Sequence, residues 1–358
     1  MRALIAGGGT GGHVIPALAI ADELRTLYEA EVRFVGTARG LETRLVPQAG
    51  YSLELITVGQ LNQVSLATRL KTLFTLPRGI LDCLRLIKDW KPQVVIGVGG
   101  YASGPAMLAA VLTRVPTLAF EPNAVPGMAN RLVGKRVSGA AVNFASTLKY
   151  FRNAEVTGIP VRAEFFALPA RPRASAPKLL VFGGSQGARA LNNKMPEIAG
   201  ELLAAVPSLS ILHQSGARHE EATRAAYAAS GAPPERWRVQ AFLDDMPQQL
   251  AASDLILSRS GASTVAELAA AAKPSLLVPF PQAADDHQRK NAEVLAEAGA
   301  AEMILEHSLT KRVLLETLKA LLGDADRLRQ MAERARSLAQ PDAAKRIAQI
   351  AAELAAQR

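Results

Sequence analysis

Short apolar runs rich in β-branched residues alternate with longer helix-like stretches through most of the chain, and this alternation limits the possible folds more than any other feature. Runs that are apolar throughout are typical of strands in a parallel sheet whose two faces are covered by helices. In the first half the sequence predicts strands at Ala3–Ala6, Val32–Val35, Leu53–Val58, Val94–Val98, Thr117–Phe120, Ala140–Phe144 and Glu155–Thr157. In the second half it predicts strands at Leu179–Phe182, Leu209–His213, Arg238–Phe242, Leu255–Leu257, Ser275–Val278 and Glu302–Leu305. We therefore expect an α/β protein built on doubly wound parallel sheets.

The predicted strands fall into two groups, separated by the Pro-, Ala- and Arg-rich segment Leu168–Pro177. Such a composition is typical of a linker or of a loop at the edge of a domain. A chain of 358 residues also exceeds the size at which a single hydrophobic core usually stops growing. We therefore expect two Rossmann-like domains that face each other across a cleft, residues 1–161 and residues 162–340.

The last segment, residues 341–358, carries the pattern of an amphipathic helix. Ile347, Ile350, Ala351 and Leu354 recur at the spacing of one helix face. A helix with one apolar face needs a partner surface, and the pattern leaves open which domain supplies it.

Composition excludes several classes of protein. Cys83 is the only cysteine, which rules out an internal disulfide and a cysteine cage for zinc. A strand begins almost at once, at Arg2, so we expect no signal peptide. No apolar run approaches the ~20 residues that span a bilayer. These features predict a cytoplasmic protein without a transmembrane segment.

The net charge of +9 is concentrated in the first half of the chain. Residues 1–160 contain 17 Lys and Arg against 10 Asp and Glu, and the remainder contains 24 against 22. A basic half suits nucleic acid, anionic lipid headgroups or phosphorylated substrates. A generally basic proteome would produce the same balance, so charge alone does not choose between these.

A glycine-rich turn, Gly7–His13, follows the first predicted strand, and a helix is expected to begin near Pro16. Glycines let a ligand approach the backbone, and a helix N-terminus offers free N–H groups to an anion. A tight strand–helix corner would need the same residues. A dinucleotide site also requires an acidic residue at the end of the second strand. That strand ends Phe34-Val35-Gly36-Thr37, without a carboxylate, which weakens a dehydrogenase interpretation.

The second half contains a similar glycine-rich turn in the segment Phe182–Ala188. Ser185 can cap the following helix or bind a phosphate, and these roles compete for one hydroxyl. Two glycine turns at the carboxyl ends of the first strands of two facing domains would bring two helix N-termini to one cleft. The pair is more specific than either turn alone.

A third turn follows the strand Leu255–Leu257 and extends from Ser258 to Glu267. Thr264 and Glu267 have the spacing of a capping box, in which both side chains serve only the helix N-terminus. Alternatively, Glu267 accepts hydrogen bonds from a ribose diol while the amides of the turn bind phosphate.

Taken together, these turns resemble the MurG-type transferases of peptidoglycan synthesis, which add N-acetylglucosamine to lipid I and give lipid II. The matching residues keep the family order from residue 8 to residue 292. They are Gly8-Gly9-Thr10-Gly11-Gly12-His13, Gly99-Gly100-Tyr101, Glu121 with Asn123, Gly158-Ile159-Pro160-Val161-Arg162, Gly183-Gly184-Ser185-Gln186-Gly187-Ala188, Asp244-Asp245-Met246, Arg259-Ser260-Gly261-Ala262 with Thr264 and Glu267, and Asp286-His287-Gln288 with Asn291-Ala292.

The resemblance implies the two-domain fold called GT-B, with the last helix, residues 341–358, returning to the first domain. It also implies a UDP-N-acetylglucosamine site in the second domain. There Ser185 would meet the diphosphate, Glu267 the ribose, Phe242 and Leu243 the uracil, and Gln288 the sugar. The donor-binding set carried over is Ser185, Gln186, Phe242, Leu243, Ala262, Ser263, Thr264, Val265, Ala266, Glu267, Gln288 and Asn291.

In the first domain the resemblance implies contacts to both substrates. Thr10, Gly11 and Gly12 would reach toward the donor, and the same glycine loop would meet the diphosphate of lipid I. Asn123 would contact the donor sugar, and Arg162 would lie at the hinge near phosphate. No cofactor, no metal and no nucleic acid partner are implied.

One stretch departs from the family pattern. The family usually has His-Glu-Gln-Asn where this chain has Phe120-Glu121-Pro122-Asn123. Any role of the histidine and glutamine side chains is therefore missing here, and Pro122 puts the local backbone in question. Glu121 and Asn123 retain the family residues.

The donor linkage is α and the lipid II linkage is β, so the resemblance implies inversion by direct displacement. The acceptor 4-hydroxyl then needs a general base, and the departing UDP needs its charge stabilised. His13 is the first choice for the base, because an imidazole exchanges protons near neutrality, and Glu121 is the second. His13 could equally orient the loop or donate to a phosphate.

Other polar residues are given no catalytic role. Asp324-Ala325-Asp326, the one Asp-x-Asp sequence in the chain, is interpreted as a solvated helix cap. His213, His219 and His307 stand outside the family motifs and are expected at the surface or at strand ends.

A candidate membrane surface lies between Val64 and Leu76. Leu66, Leu70, Leu73 and Phe74 recur at helical spacing, with Arg69, Lys71 and Arg78 nearby and Lys135 and Arg136 as additions. A core-facing helix would have the same stripe. The basic flanks and a lipid-linked acceptor favour a peripheral protein on the cytoplasmic side of an anionic inner membrane.

Two other functions fit part of the pattern. A UDP-N-acetylglucosamine 2-epimerase shares the fold and the donor but needs no lipid. A sensing module would bind the sugar nucleotide without turnover.

Overall fold

The computed structural model describes residues 1–58, 66–169 and 176–357, with the backbone alone at residues 66–75. The chain divides into two compact units, Met1–Val161 with Asp342–Arg358, and Arg162–Pro341. The division expected from the sequence differs only at Pro341, which belongs with the second unit. Residues 170–175 of the predicted linker lie outside the described residues.

The first unit contains a parallel sheet of seven strands in the order β3-β2-β1-β4-β5-β6-β7. The strands are β1 Arg2–Gly7, β2 Glu31–Gly36, β3 Ser52–Leu55, β4 Val94–Gly99, β5 Thr117–Glu121, β6 Gly139–Val142 and β7 Ala154–Val156. The helices are α1 Gly11–Tyr28, α2 Glu42–Gln48, α3 Leu66–Trp90, α4 Ser103–Leu112 and α5 Met128–Val133. After β1 the chain adds β2 and β3 on one side of that strand and then crosses to its other side to form β4. The strand order therefore reverses between β1 and β4. Ligands of such sheets bind beyond the carboxyl ends of the strands at this reversal.

The second unit contains a parallel sheet of six strands in the order β10-β9-β8-β11-β12-β13. The strands are β8 Lys178–Phe182, β9 Ser210–Gln214, β10 Trp237–Gln240, β11 Leu255–Ser258, β12 Ser275–Leu277 and β13 Ala301–Met303. The helices are α6 Arg189–Ala205, α7 Glu220–Ala228, α8 Met246–Ala251, α9 Ala262–Ala270, α10 His287–Glu297, α11 Lys311–Leu322 and α12 Ala325–Ser337. Short 3-10 turns occur in this unit at Ala163–Phe165, Pro234–Arg236, Ala284–Asp286 and Glu306–Ser308, and in the first unit at Ala145–Tyr150. Here the strand order reverses between β8 and β11.

Each sheet is buried because its central strands are apolar on both faces. In the first unit Leu4, Ile5 and Ile96 have no exposed surface, and in the second Leu180 and Ile256 have none. Strands of this kind have no face that tolerates water, so helices must cover both sides. All of the predicted strands overlap observed ones, and the α/β prediction is confirmed.

The last helix, α13 (Ala343–Ala356), packs against α1 and the strands β4 to β6 of the first unit. The predicted apolar face, Ile347, Ile350, Ala351 and Leu354, is buried there. On its polar side Arg346 donates two hydrogen bonds to Glu155, at 2.7 and 2.8 Å. The tail therefore returns to the first unit, as the resemblance implied.

The predicted apolar stripe between Val64 and Leu76 falls in α3 from Leu66 onward, so its helical character is confirmed. The side chains of Leu66, Leu70, Leu73 and Phe74 lie outside the described residues. Within the described part of the chain, no helix is both long and apolar enough to cross a membrane.

Candidate functional site

The first glycine turn connects β1 to α1 at the reversal of the first sheet. The helix begins at Gly11, five residues earlier than expected, with Thr10 as its N-cap. No side chain caps this end, and its first turn carries no acidic residue. The exposed residues Thr10 and Gly12 thus border a helix end whose N–H groups favour an anion. The early start also places His13 in the first helical turn.

The turn after β4 packs directly on the first glycine turn. Gly99 and Gly100 have φ of +92° and +81°, values that favour glycine. A Cβ atom on Gly100 would lie 2.3 Å from the carbonyl oxygen of Gly8, and one on Gly99 would lie 2.8 Å from Cε1 of His13. The half-buried His13 ring therefore lies against this turn.

A carboxylate that the sequence analysis missed lies beneath the first glycine turn. Glu42, in the first turn of α2, is 1% exposed. Its Oε2 accepts a hydrogen bond from the N–H of Gly9 at 2.7 Å, and its Oε1 accepts from the N–H and hydroxyl of Thr37 at 3.1 and 3.0 Å. The carboxylate absent from the end of β2 is thus supplied six residues after that strand ends, and it holds the turn from within.

Glu121 forms a clamp at the end of β5. Its Oε1 accepts from the N–H and side-chain amide of Asn123 at 3.0 and 3.2 Å. Its Oε2 accepts from the N–H of Gly127 at 3.0 Å and from the amide of Asn130 at 2.9 Å. Burial raises the pKa of Glu121, and these donors oppose the rise. Four donors match the lone-pair directions of a carboxylate, so the group holds the loop that carries Asn123.

Pro122 does not break this loop. It is buried, its carbonyl accepts a hydrogen bond from the Asn143 amide at 3.2 Å, and the chain contains no cis peptide bond in its described part. The Phe120 side chain is fully buried beneath the loop. Phe120 and Pro122 therefore fit the loop as apolar support, and neither offers a side-chain hydrogen bond.

The second glycine turn connects β8 to α6. Ser185 and Gln186 are exposed, and α6 begins only at Arg189, after Ala188 as N-cap. Ser185 is therefore not the cap, and its hydroxyl stays available to a phosphate. A Cβ atom on Gly187 would lie 1.8 Å from the carbonyl oxygen of Ser215, so the turn can pack here only as glycine.

The third turn leads from β11 into α9. The helix begins at Ala262 after Gly261, which places Thr264 inside it with no capping bond. The capping-box interpretation of Thr264 and Glu267 is therefore wrong. The half-buried Glu267 has a pKa raised to about 7 by burial, which the nearby Arg162 partly offsets.

The other predicted residues of this turn differ in exposure. Ala262, Ser263, Thr264 and Ala266 are half-buried, whereas the Val265 side chain is 1% exposed. Val265 can therefore meet a ligand only through its backbone.

Gln288 and Asn291 of α10 support the third turn. The Gln288 carbonyl Oε1 accepts from the N–H groups of Ser260 and Phe280, at 3.3 and 3.1 Å, which leaves its side-chain NH₂ for a ligand. Asn291 has no exposed surface and donates to the carbonyl of Ser260 at 3.2 Å. The observed contact of Asn291 is with the turn, and its direct contact with the donor stays a prediction.

The remaining residues that were predicted to bind substrate lie in loops of the second unit. Phe242 is 55% exposed beside β10, and Leu243 is buried. An exposed aromatic ring followed by a buried residue suits a base that stacks on one side and reads the backbone on the other. The exposed Arg162 pairs with Glu164 at 2.7 Å.

The buried Arg259 was matched to the family but given no role. It donates to the carbonyls of Val278 and Pro279, both at 3.0 Å, and pairs with Glu306. It thus ties the end of β11 to the end of β12 beneath the third turn.

The other histidines and the Asp-x-Asp sequence are only partly as expected. His307 is exposed, and Asp324 caps α12 by accepting from the N–H of Arg327 at 2.9 Å, as predicted. His213 lies next to the end of β9, which fits the expected strand-end position, and it is fully buried rather than at the surface. His219 is half-buried at the start of α7. The described residues contain no cluster of His, Cys, Asp and Glu that could hold a metal ion.

Two family models match the chain in succession. The glycosyltransferase family 28 N-terminal domain matches residues 3–142, and the glycosyltransferase family 28 C-terminal domain matches residues 178–347. A UDP-N-acetylglucosamine--N-acetylmuramyl-(pentapeptide) pyrophosphoryl-undecaprenol N-acetylglucosamine transferase of Anaeromyxobacter sp. (strain K) is 46% identical over 100% of this chain and 94% of its own length. The chain belongs to the MurG family.

Solved structures agree with this assignment. The crystal structure of Acinetobacter baumannii MurG is 32% identical, covers 98% of this chain and 99% of its own, and has a TM-score of 0.82. The GT-B fold predicted for a MurG-type chain is confirmed by the two parallel-sheet units and these matches. A Neisseria meningitidis UDP-GlcNAc 2-epimerase bound to UDP-GlcNAc is 14% identical, with a TM-score of 0.68 and full coverage of both chains. That likeness is one of fold alone.

Proposed function

We propose that the chain transfers N-acetylglucosamine from UDP-N-acetylglucosamine to the 4-hydroxyl of the muramoyl sugar of lipid I and so forms lipid II. The observation that carries this proposal is full-length similarity, at 46% identity, to a relative named for the same transfer. The uncapped helix ends at the reversal of each sheet, α1 in the first unit and α6 and α9 in the second, suit two substrates that both carry diphosphates.

The second unit is proposed to bind the donor. The exposed Ser185 and Gln186, with the uncapped start of α6, offer donors to the diphosphate. Phe242 offers an exposed ring to the uracil, and the side-chain NH₂ of Gln288 a donor to the sugar. Glu267 would accept hydrogen bonds from the ribose, a role supported by a half-buried carboxyl on a helix whose N-cap is Gly261 rather than Thr264.

The first unit is proposed to bind the acceptor. Glu42 occupies the N–H of Gly9, and the first N–H groups of α1, on Gly11 and Gly12, lie in the turn of a helix that offers them no partner of its own. They would meet the acceptor diphosphate, with Thr10 beside them. Asn123, held by the Glu121 clamp, would contact the donor sugar during transfer.

His13 is proposed as the general base, and Glu121 as the residue that positions the Asn123 loop. His13 stands next to the proposed acceptor amides, whereas the oxygens of Glu121 are occupied by four donors. A base removes the proton of the attacking 4-hydroxyl as the bond to the UDP oxygen breaks. Helix N-termini and amides would stabilise the charge that develops on UDP.

Incubation with substrates distinguishes this function from the alternatives. With UDP-N-acetylglucosamine alone, a transferase leaves the donor nearly intact, whereas a 2-epimerase forms the manno sugar. Addition of lipid I should release UDP in step with consumption of the acceptor. A sensing module would bind the nucleotide and release nothing, and that result would refute the proposal.

The acceptor's lipid also leads us to propose a peripheral site on the cytoplasmic face of an anionic inner membrane. Exposed leucines lie on three helices that pack in succession, Leu81 on α3, Leu112 on α4 and Leu132 on α5. The exposed Arg131 directly precedes Leu132 in the chain, and the exposed Lys135 follows it by three residues. Apolar side chains with basic neighbours are typical of surfaces that bind anionic lipid.

A further inference from the structure

Three glycines from separate segments make room for the Glu42 carboxyl group. A Cβ atom on Gly8 would lie 2.3 Å from Oε1, one on Gly36 2.7 Å from Cγ, and one on Gly40 1.9 Å from Oε2. Gly36 and Gly40 do not have the positive φ that would itself demand glycine. Their lack of a side chain is therefore explained by the carboxylate that fills the space.

The same carboxylate connects two turns that are far apart in sequence. It joins Gly9, after β1, to Thr37, after β2, and the N–H of Leu41 adds a bond to the carbonyl of Gly9 at 3.2 Å. A charged acceptor gives stronger hydrogen bonds than a neutral one, and its place in the first turn of α2 suits the helix dipole. Gly8 and Gly9 are thus fixed from below.

The backbone that Glu42 fixes includes the surface against which His13 packs. The backbone of Gly8 packs on Gly100, and the His13 ring packs on Gly99. A shift of the first glycine turn must therefore move the surface against which the imidazole lies, together with the start of α1.

We propose that Glu42 is a positioning residue for transfer: its buried carboxylate sets the first glycine turn, and through it the aim of His13 and of the Gly11 and Gly12 amides. This inference rests on the transferase function proposed above. A merely structural Glu42 would stabilise the fold without affecting the rate of the folded enzyme.

Glu42→Gln is the first test, because an amide must present its NH₂ to either Gly9 or Thr37, both of which donate. We expect kcat to fall by about 10–100-fold at a temperature well below Tm. A loss of this size is what a small misplacement of a catalytic group causes. The Kd for UDP-N-acetylglucosamine, which reports the second unit, should stay within about twofold. Glu54→Gln, at a half-exposed carboxylate of β3, is the matched control and should leave kcat unchanged.

Gly40→Ala tests the same carboxylate from another residue. The new methyl group overlaps Oε2, so the variant should lower kcat about as much as Glu42→Gln. In a Glu42→Ala background the overlap is gone, and adding Gly40→Ala should change kcat by less than about twofold, since contacting residues are non-additive. Gly104→Ala, where the nearest atom would be at an ordinary 3.7 Å, is the control. Equal losses from Gly40→Ala in both backgrounds would overturn the proposal.

A measurement without substrate separates this proposal from the function it rests on. The ring signals of His13 can be assigned in histidine-labelled protein by comparison with His13→Gln, and titrated in the wild type, Glu42→Gln and Gly40→Ala. We expect both variants to shift these signals, because the surface against which the imidazole lies moves with the first glycine turn. Unchanged His13 signals with a lower Tm would overturn the positioning role, even if the wild type transferred no sugar.

Discussion

Glu267 shows how one residue's surroundings set its chemistry. Burial raises the pKa of its carboxyl to about 7, so at neutral pH the acid and the carboxylate are both populated. The carboxylate is the stronger acceptor for ribose hydroxyls, and it forms only as pH rises through about 7. Donor binding should therefore tighten with rising pH and level off above this value.

The matching experiment is the pH dependence of the Kd for UDP-N-acetylglucosamine, whose diphosphate does not titrate in this range. In the wild type the Kd should rise by up to about tenfold for each pH unit below pH 7. In Glu267→Gln the Kd should not change with pH. Glu267→Ala should raise the donor KM more than it lowers kcat, at a cost of about 1.5–3 kcal/mol. If the Kd had the same pH dependence in the wild type and in Glu267→Gln, Glu267 would not be the residue that binds the ribose.

The roles of His13 and Glu121 can be separated by their pH profiles. His13→Ala should lower kcat by roughly 10²–10⁴ and abolish the acidic limb of the kcat profile, as expected for loss of a general base. Glu121→Gln should lower kcat through the loss of the Asn123 clamp but retain that limb. If the limb survives in His13→Ala and disappears in Glu121→Gln, Glu121 is the base and the assignment here is wrong.

Sequence could identify the turns but not what lies beneath them. Glycine turns and their strands have local signals, so the turn that carries Ser185 could be expected. Glu42 has no such signal, because its partners are the N–H of Gly9, far away in sequence, and the N–H and hydroxyl of Thr37. The capping-box error at Thr264 has the same origin, since the true helix start depends on where β11 ends.

At the scale of an element, β9 carries a buried polar network. His213 contacts the Tyr227 hydroxyl through Nδ1 at 3.1 Å and the Asn192 carbonyl through Nε2 at 3.0 Å. The Asn192 amide donates to the carbonyl of Ser215 at 2.9 Å, against which the second glycine turn packs. A tyrosine that donates to Nδ1 leaves the proton of a neutral imidazole on Nε2.

This network predicts acid sensitivity of the second unit. Burial lowers the pKa of His213 to about 3, from 6.5, so its contribution to stability is full above about 6.5 and is lost as pH falls toward 3. Between these values His213→Gln should reduce the slope of unfolding free energy against pH by up to about 1.4 kcal/mol per unit.

The reporter for this measurement is Trp237, which stacks on Tyr227 at 5.2 Å. Trp90, of the first unit, is replaced by Phe so that urea unfolding followed by fluorescence monitors the second unit alone. If the slope of unfolding free energy against pH were the same with His213 and with His213→Gln, the pKa of His213 would not differ between the folded and unfolded states.

For the whole molecule, the family and fold followed from motif order, but membrane attachment is still a prediction. Leu112→Asp with Leu132→Asp should weaken binding to anionic vesicles and leave turnover of a short-chain, water-soluble acceptor intact, because only the lipid contact is removed. Leu27→Asp, on α1, is the control, since it is also exposed but its helix packs with α13. Equal vesicle binding by the double variant and the wild type would place the membrane surface elsewhere.

Inverting transfer to lipid I determines the structure of the product. The disaccharide formed from UDP-N-acetylglucosamine and a lipid I analogue should be isolated, and its anomeric configuration and linkage position determined by NMR. We expect a β linkage to the 4-hydroxyl of the muramoyl sugar, with UDP released in equal amount. An α linkage, another hydroxyl, or conversion of the donor without an acceptor product would contradict it.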